Sequence, residues 1–312
     1  MNAADAPLVS LADITEIELI ILRRMREVTL GDHRSTSPGS GFDLVGLREW
    51  QAGDRLSNID WAQSSLTDFS QLMVREFDQP STATVMAVAD RSLSMRCGSG
   101  DMSIAAACAR AVATIGLSAS FFQDLFGLMT FGPADAGGHG SALRDFAAIR
   151  PRVGRNQVVH CLEAYQQGRG LEDVRHTDSL SATIASFTRR TALVPFLSDF
   201  LFEDAATVLR ELSLLSSTHD TFIVLIDAAQ AFALPKLSAG WIEIFDVETG
   251  RARMVSRREA SRMSDRVRAW QNDVAAQARE LDLDVVRLGA DATQSDLALA
   301  EFVAERRLRK VM

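Results

Sequence analysis

Short apolar runs with no polar face recur along the chain: Ala83–Ala89 (ATVMAVA), Leu125–Phe131, Ala192–Leu197, Thr221–Ile226 and Asp284–Leu288. Strands buried on both faces of a parallel sheet carry this pattern. Between them lie stretches with helical spacing at 101–122, 157–167, 178–188, 203–215, 257–281 and 291–308. Strands alternating with helices predict an α/β fold, a mostly parallel sheet with helices on both faces. The last helix opens with Asp291 and Gln294, a capping-box-like start. Residues 241–255 (WIEIFDVETGRARMV) read as an inserted hairpin turning through Glu248-Thr249-Gly250.

The first 80 residues have another texture. Residues 14–28 carry apolar side chains at helical spacing and end basic, which suits a helix C-terminus. Residues 31–41 (GDHRSTSPGSG) are turn formers, Gln71–Phe77 reads as a strand, and 78–82 as a linker. The expected division is an accessory helix and β-rich region over 1–80 and an α/β domain over 81–312. Ile104–Phe122 is long enough to span a membrane, but it is built of Ala, Ser and Gly and contains Arg110. An arginine there costs about 2.5–3.5 kcal/mol on insertion scales, so the reading is a buried helix and no direct membrane span.

Composition narrows the function. Apolar residues make up 47% and charged residues 24%, the balance of a folded globular chain. With 33 basic against 41 acidic residues the net charge is -8, so nucleic acid is not an expected partner. The only lysines are Lys236 and Lys310, and neither lies in a G-x-x-x-x-G-K-[ST] run, which excludes a P-loop nucleotide site. Cys97, Cys108 and Cys161 show no C-x-x-C spacing and read as free thiols in a reducing compartment. The acidic, non-hydrophobic N-terminus is unlike a secretory signal, so the expected location is cytoplasmic.

The chemistry-bearing segment is Asp90-Arg91-Ser92-Leu93-Ser94, directly after the first buried strand. Ligands of open α/β sheets bind at the carboxyl ends of strands. Alternate spacing in an extended loop puts one carboxylate and two hydroxyls on one side. Oxygen ligands of this kind suit Mg²⁺, with Mn²⁺ or Ca²⁺ as alternatives. The rival reading is a helix-capping loop without metal. Thr177-Asp178-Ser179-Leu180 opens a later helix, and Ser198-Asp199-Phe200 follows another buried strand.

With these segments the sequence resembles the von Willebrand factor A domain, whose Rossmann-like fold carries a metal-ion-dependent adhesion site. That resemblance implies Asp90, Ser92, Ser94, Thr177 and Asp199 as the metal set, with Thr183 as the fallback for Thr177. One metal position is left open for an acidic side chain of a partner. Pro195 falls inside the strand that delivers Asp199, so either its nitrogen faces away from a neighbour or the strand is bulged.

Upstream, Gly39-Ser40-Gly41-Phe42, Leu47-Arg48-Glu49-Trp50, Gly53-Asp54, Ile59-Asp60-Trp61 and Val74-Arg75-Glu76-Phe77 extend the likeness over roughly 17–305. They resemble the domain-of-unknown-function family 58, bacterial proteins encoded beside MoxR-type AAA+ ATPases, of which MxaS-like members are one branch. The resemblance implies a non-enzymatic, metal-dependent adaptor or cofactor of such an ATPase, with a chaperone-like role in maturing a client protein. The alternatives are a metal-independent scaffold and an aspartyl-phosphate hydrolase using Asp90. Against the hydrolase, Ser92 stands where that class uses a second aspartate, and no lysine is near to stabilise a transferring phosphate. No G-x-S-x-G elbow is present.

Other features have plainer readings. Arg258, Arg262 and Arg266 read as a solvated helix face opposite Met263, Val267, Trp270 and Val274. Trp50 and Trp61 read as packing residues between the N-terminal region and the sheet. None of His33, His139, His160, His176 and His219 is assigned to a metal, since no i, i+4 pair exists.

Overall fold

The computed structural model describes residues 7–30, 38–39, 43–51, 54, 56, 59–66, 68–78, 82–99, 102–133, 144–174, 179–188, 190–232, 241–245 and 252–311. Helix α1 is Leu11–Leu30. Strands β1 (Pro38–Gly39), β2 (Asp43–Glu49) and β3 (Met73–Asp78) form a small antiparallel sheet, with the short α2 (Trp61–Ser65) between β2 and β3. The main body runs β4 (Thr84–Asp90), β5 (Gly98–Ser99), β6 (Met102–Ser103), α3 (Ile104–Phe121), β7 (Leu125–Pro133), β8 (Arg144–Arg152), α4 (Arg155–Gln167) and β9 (Glu172–Asp173). It continues through α5 (Leu180–Phe187), β10 (Leu193–Ser198), α6 (Ala205–Leu215), β11 (Asp220–Ile226), β12 (Trp241–Phe245), β13 (Ala252–Ser256), α7 (Arg257–Glu280), β14 (Asp284–Leu288) and α8 (Ala292–Val311).

The central sheet has seven strands in the order β14-β11-β10-β4-β7-β8-β9. Its first five are mutually parallel, while β8 runs antiparallel to both neighbours. Strand β10 is buried at every position, as two-sided coverage requires. The five apolar runs all became strands of this sheet. Strand β8 was not among the expected elements, because its sequence, RDFAAIRPR, mixes charge, proline and short apolar pieces. Proline 195 causes no bulge. The ladder to β11 is unbroken, and the ladder to β4 passes over Val194 and Pro195 with register unchanged, from Leu193↔Val85 to Phe196↔Val88.

Two apolar layers flank the sheet. One joins α1, α3, α4 and α8, and the other α5, α6 and α7. Within the expected 1–80 region, α1 is built into the first layer through Ile14, Ile17 and Ile21. The β1–β3 sheet forms separately from it. Trp61 corrects its reading as a packing residue, since it is 59% exposed and opens α2 directly after its N-cap Asp60, and Trp50 is 36% exposed. The loop 31–37, most of the linker 78–82 and the turn at 248–250 lie outside the described residues, but the hairpin forms, pairing Trp241↔Ser256 through Phe245↔Ala252.

Helix α3 is long and apolar enough by composition to cross a membrane, and two-thirds of it is buried inside the body. Its one basic residue, Arg110, ties three helices together. Nη1 donates to Asp13 at 2.8 Å and Nη2 to Glu16 at 3.0 Å on α1, and Nε donates to Asp296 at 2.7 Å on α8. Thr114 donates to the other Asp296 oxygen at 2.9 Å. Two residues beyond Thr114, Gly116 lets α3 approach its neighbours. A Cβ there would stand 2.8 Å from Val158 Cγ1 and 2.9 Å from the Phe126 ring. Gly116→Ala is therefore expected to cost about 1–2 kcal/mol in urea unfolding, overpacking outweighing the gain of about 1 kcal/mol in helix propensity.

Candidate metal centre

Strand order reverses between β4 and β10: the chain leaves β4 for β7 and β8 on one side, then returns to β10 on the other. Such a switch point opens a crevice at the carboxyl ends of the strands. Asp90 ends β4 and Asp199 directly follows β10, so the two carboxylates stand at the carboxyl ends of neighbouring strands.

Both aspartates are fully buried. Asp90 Oδ1 accepts from the Ser92 amide at 2.7 Å, and Oδ2 accepts from the Ser198 hydroxyl at 2.6 Å. The Tyr165 hydroxyl donates to the Asp90 carbonyl at 2.8 Å. Ser92 is the N-cap of a 3-10 turn over Leu93–Arg96, yet its side chain does not cap it. That hydroxyl instead lies 3.0 Å from the hydroxyl of Ser94. Asp199 Oδ1 accepts from the Leu201 amide at 3.0 Å, while Oδ2 is buried with no hydrogen-bond partner. Burial, and then the nearby Asp90 charge, push the Asp199 carboxyl up to about 7, against the pull of the Leu201 amide and the Ser94 hydroxyl.

The expected site residues thus divide. Asp90, Ser92, Ser94 and Asp199 come together around the crevice. Thr177 lies outside the described residues, as does His176. Its fallback, Thr183, is buried on α5 with its hydroxyl donating to its own helix at Ser179. Among the described residues no three or more His, Cys, Asp or Glu side chains gather to hold a metal; the set here is two carboxylates with hydroxyls. The donors nevertheless fit a hard divalent cation. Two buried carboxylates stand near one another, an orphaned carboxylate oxygen needs a partner, and the neighbouring ligands are hydroxyl oxygens.

A supporting layer was not legible in the sequence. On α7, the fully buried Gln271 donates to the carbonyls of Asp199 at 2.9 Å and Ile226 at 2.8 Å. Trp270 Nε1 donates to the Phe200 carbonyl at 2.8 Å. Phe200 holds a left-handed backbone at φ 56°, a strained choice for a residue with a Cβ, and these two side chains lock it. Beneath Asp90, Tyr165 also meets the Cys108 thiol; burial pushes that thiol up to about 12 and the phenol well above its usual value. Cys108 is therefore a packing thiol, not a nucleophile.

A mostly parallel sheet with one antiparallel strand, helices on both faces and D-x-S-x-S at the switch point define a von Willebrand A-type α/β domain. The chain belongs to the family described as protein of unknown function DUF58, whose model matches residues 46–279. Two solved structures are similar in outline. An aerotolerance-related membrane protein from Bacteroides fragilis NCTC 9343, with multiple mutations to serines, is 12% identical. It aligns with a TM-score of 0.38 over 72% of this chain and 99% of its own. The conserved hypothetical protein BatB from Bacteroides thetaiotaomicron is 11% identical, with a TM-score of 0.35 over the same shares. No curated protein matches the chain.

Proposed function

We propose that this protein is a non-enzymatic, metal-dependent protein-binding module. It acts in the cytoplasm as an adaptor of a MoxR-type AAA+ ATPase in the chaperone-like maturation of a client protein. The observation that carries the metal part is the buried, unpartnered Asp199 Oδ2 beside a second buried carboxylate. Asp90 and Asp199 would hold the cation, Mg²⁺ first among candidates, with the hydroxyls of Ser92, Ser94 and Thr177. The bound cation supplies an electrophilic position for an acidic side chain of the partner. The ATPase part rests on the family resemblance.

The protein's own groups do the positioning. Ser198 and the Ser92 amide fix both oxygens of Asp90. Gln271 and Trp270 fix the backbone that presents Asp199. Ser92 stands where an aspartyl-phosphate hydrolase uses a second aspartate, which favours binding over hydrolysis. The test is a pull-down from native lysate with the tagged protein, run in Mg²⁺ and in EDTA, with bound proteins identified by mass spectrometry. An AAA+ ATPase retained in Mg²⁺ and lost in EDTA is the expected result. Retention in both would leave a metal-independent scaffold, and an ATPase in neither would remove the adaptor role.

A further inference from the structure

Helix α7 reaches past the sheet. Gln271 binds the carbonyl of Ile226, the last residue of β11, so residue 271 is level with the carboxyl edge of the strands. The 257–270 half lies N-terminal to that level, about 20 Å of helix beside the metal crevice. A 3-10 turn at Ala228–Phe232 buttresses it, where Ser264 donates to the Ala229 carbonyl at 3.3 Å.

This half of α7 is basic in an acidic protein. It carries Arg257, Arg258, Arg262, Arg266 and Arg268 against Glu259 and Asp265, while the whole chain is -8. All five arginines are exposed. Arg268 pairs with Asp265 at 3.7 Å, and Arg262 faces the Glu259 charge. Arg257, Arg258 and Arg266 make no hydrogen bond or ion pair among the described residues. Two of these cations sit in the first turn, where the helix dipole disfavours positive charge. A local choice against physical preference marks a surface kept for another purpose.

The ridge also points at the metal loop. Arg258, Arg262 and Arg266 are spaced by four, so their row winds about 40° round the helix per step toward Trp270 at the edge of the opposite face, whose indole holds the Phe200 carbonyl beside Asp199. Successive arginines are thus about 6 Å apart along the axis. Alternate side chains of an extended strand are spaced about 6.6 Å apart. We propose that the ridge Arg258–Arg262–Arg266 and the metal crevice form one binding surface for an extended, acidic segment of a partner protein. One carboxylate of the segment meets the cation, and acidic residues at every second position beyond it meet the arginines. This rests on the metal-dependent reading above and adds the partner's chemistry to it.

The probe is a fluorescein-labelled peptide of about ten alternating Glu and Ser residues, titrated with the full chain at low ionic strength and read by anisotropy. In Mg²⁺ the wild type is expected to bind, and the triple charge reversal R258E/R262E/R266E to bind at least about tenfold more weakly with its melting temperature unchanged. EDTA is expected to weaken the wild type as well. Wild-type-like binding by the triple variant would overturn the ridge, whatever EDTA does. Loss in the triple variant with no effect of EDTA would overturn the joint surface through its metal half, leaving the arginines alone. Tighter binding of a ten-nucleotide oligothymidylate than of the peptide would overturn the protein partner in favour of nucleic acid. A dimer seen by sedimentation and abolished by the reversal would overturn it in favour of a second copy of this chain.

Discussion

Asp199→Asn is expected to abolish the stabilisation that Mg²⁺ gives the wild-type protein, while leaving the metal-free protein as stable or more stable. Asparagine keeps the oxygen that accepts from the Leu201 amide and removes one of two buried negative charges. If the wild type binds Mg²⁺ as proposed, the ion at one hundred times its Kd would stabilise the native state by about 2.7 kcal/mol. For a chain of this size that is a rise of roughly 5 °C in melting temperature. Differential scanning calorimetry in Mg²⁺ and in EDTA reads both parts. A variant that retained the Mg²⁺ response, or a wild type that never showed one, would remove Asp199 from the metal set.

Arg110→Met is expected to be the most destabilising single change, by about 3–5 kcal/mol in urea unfolding. The guanidinium is 12% exposed and holds Asp296, whose side chain is 4% exposed. Removing it strands that carboxylate against Thr114 in an apolar layer. Burial already pushes the Asp296 carboxyl up, with Arg110 as the main counterweight. The double variant Arg110→Met, Asp296→Leu is expected to recover much of the loss, because the uncompensated buried charge is gone. A single variant within about 1 kcal/mol of wild type would show that Arg110 contributes little beyond surface pairing.

The parts of the fold legible in the sequence were those governed by local pattern. Apolar runs such as Ala192–Leu197 (ALVPFL) read as strands covered on both faces, and Asp90 and Asp199 are visible because each follows one. Strand β8 escaped because an antiparallel strand near the sheet edge carries no continuous apolar run. The supporting residues escaped for a different reason. Ser198 reaches Asp90 across 108 positions and Gln271 reaches Asp199 across 72, so only tertiary packing brings them together. Aromatic size does not by itself signal burial, since Asp60 caps α2 and leaves the Trp61 ring outside. Thr177 was named by its place before a helix, a signal shared by many N-cap threonines.

The three-helix junction at Arg110 also sets an order of events on the ribosome. Ile14, Ile17 and Ile21 emerge early, but α3 follows about 90 residues later and α8 about 270 residues later. At about 5–20 residues per second, the apolar face of α1 waits roughly 5–20 s for its first partner and up to about a minute for its last. Asp296 arrives about 190 residues after Arg110 and finds it already placed beside Asp13 and Glu16. Translation of α8 is thus the step that closes this layer, and a chain stalled before it presents both an open apolar layer and an arginine lacking its most deeply buried counter-ion.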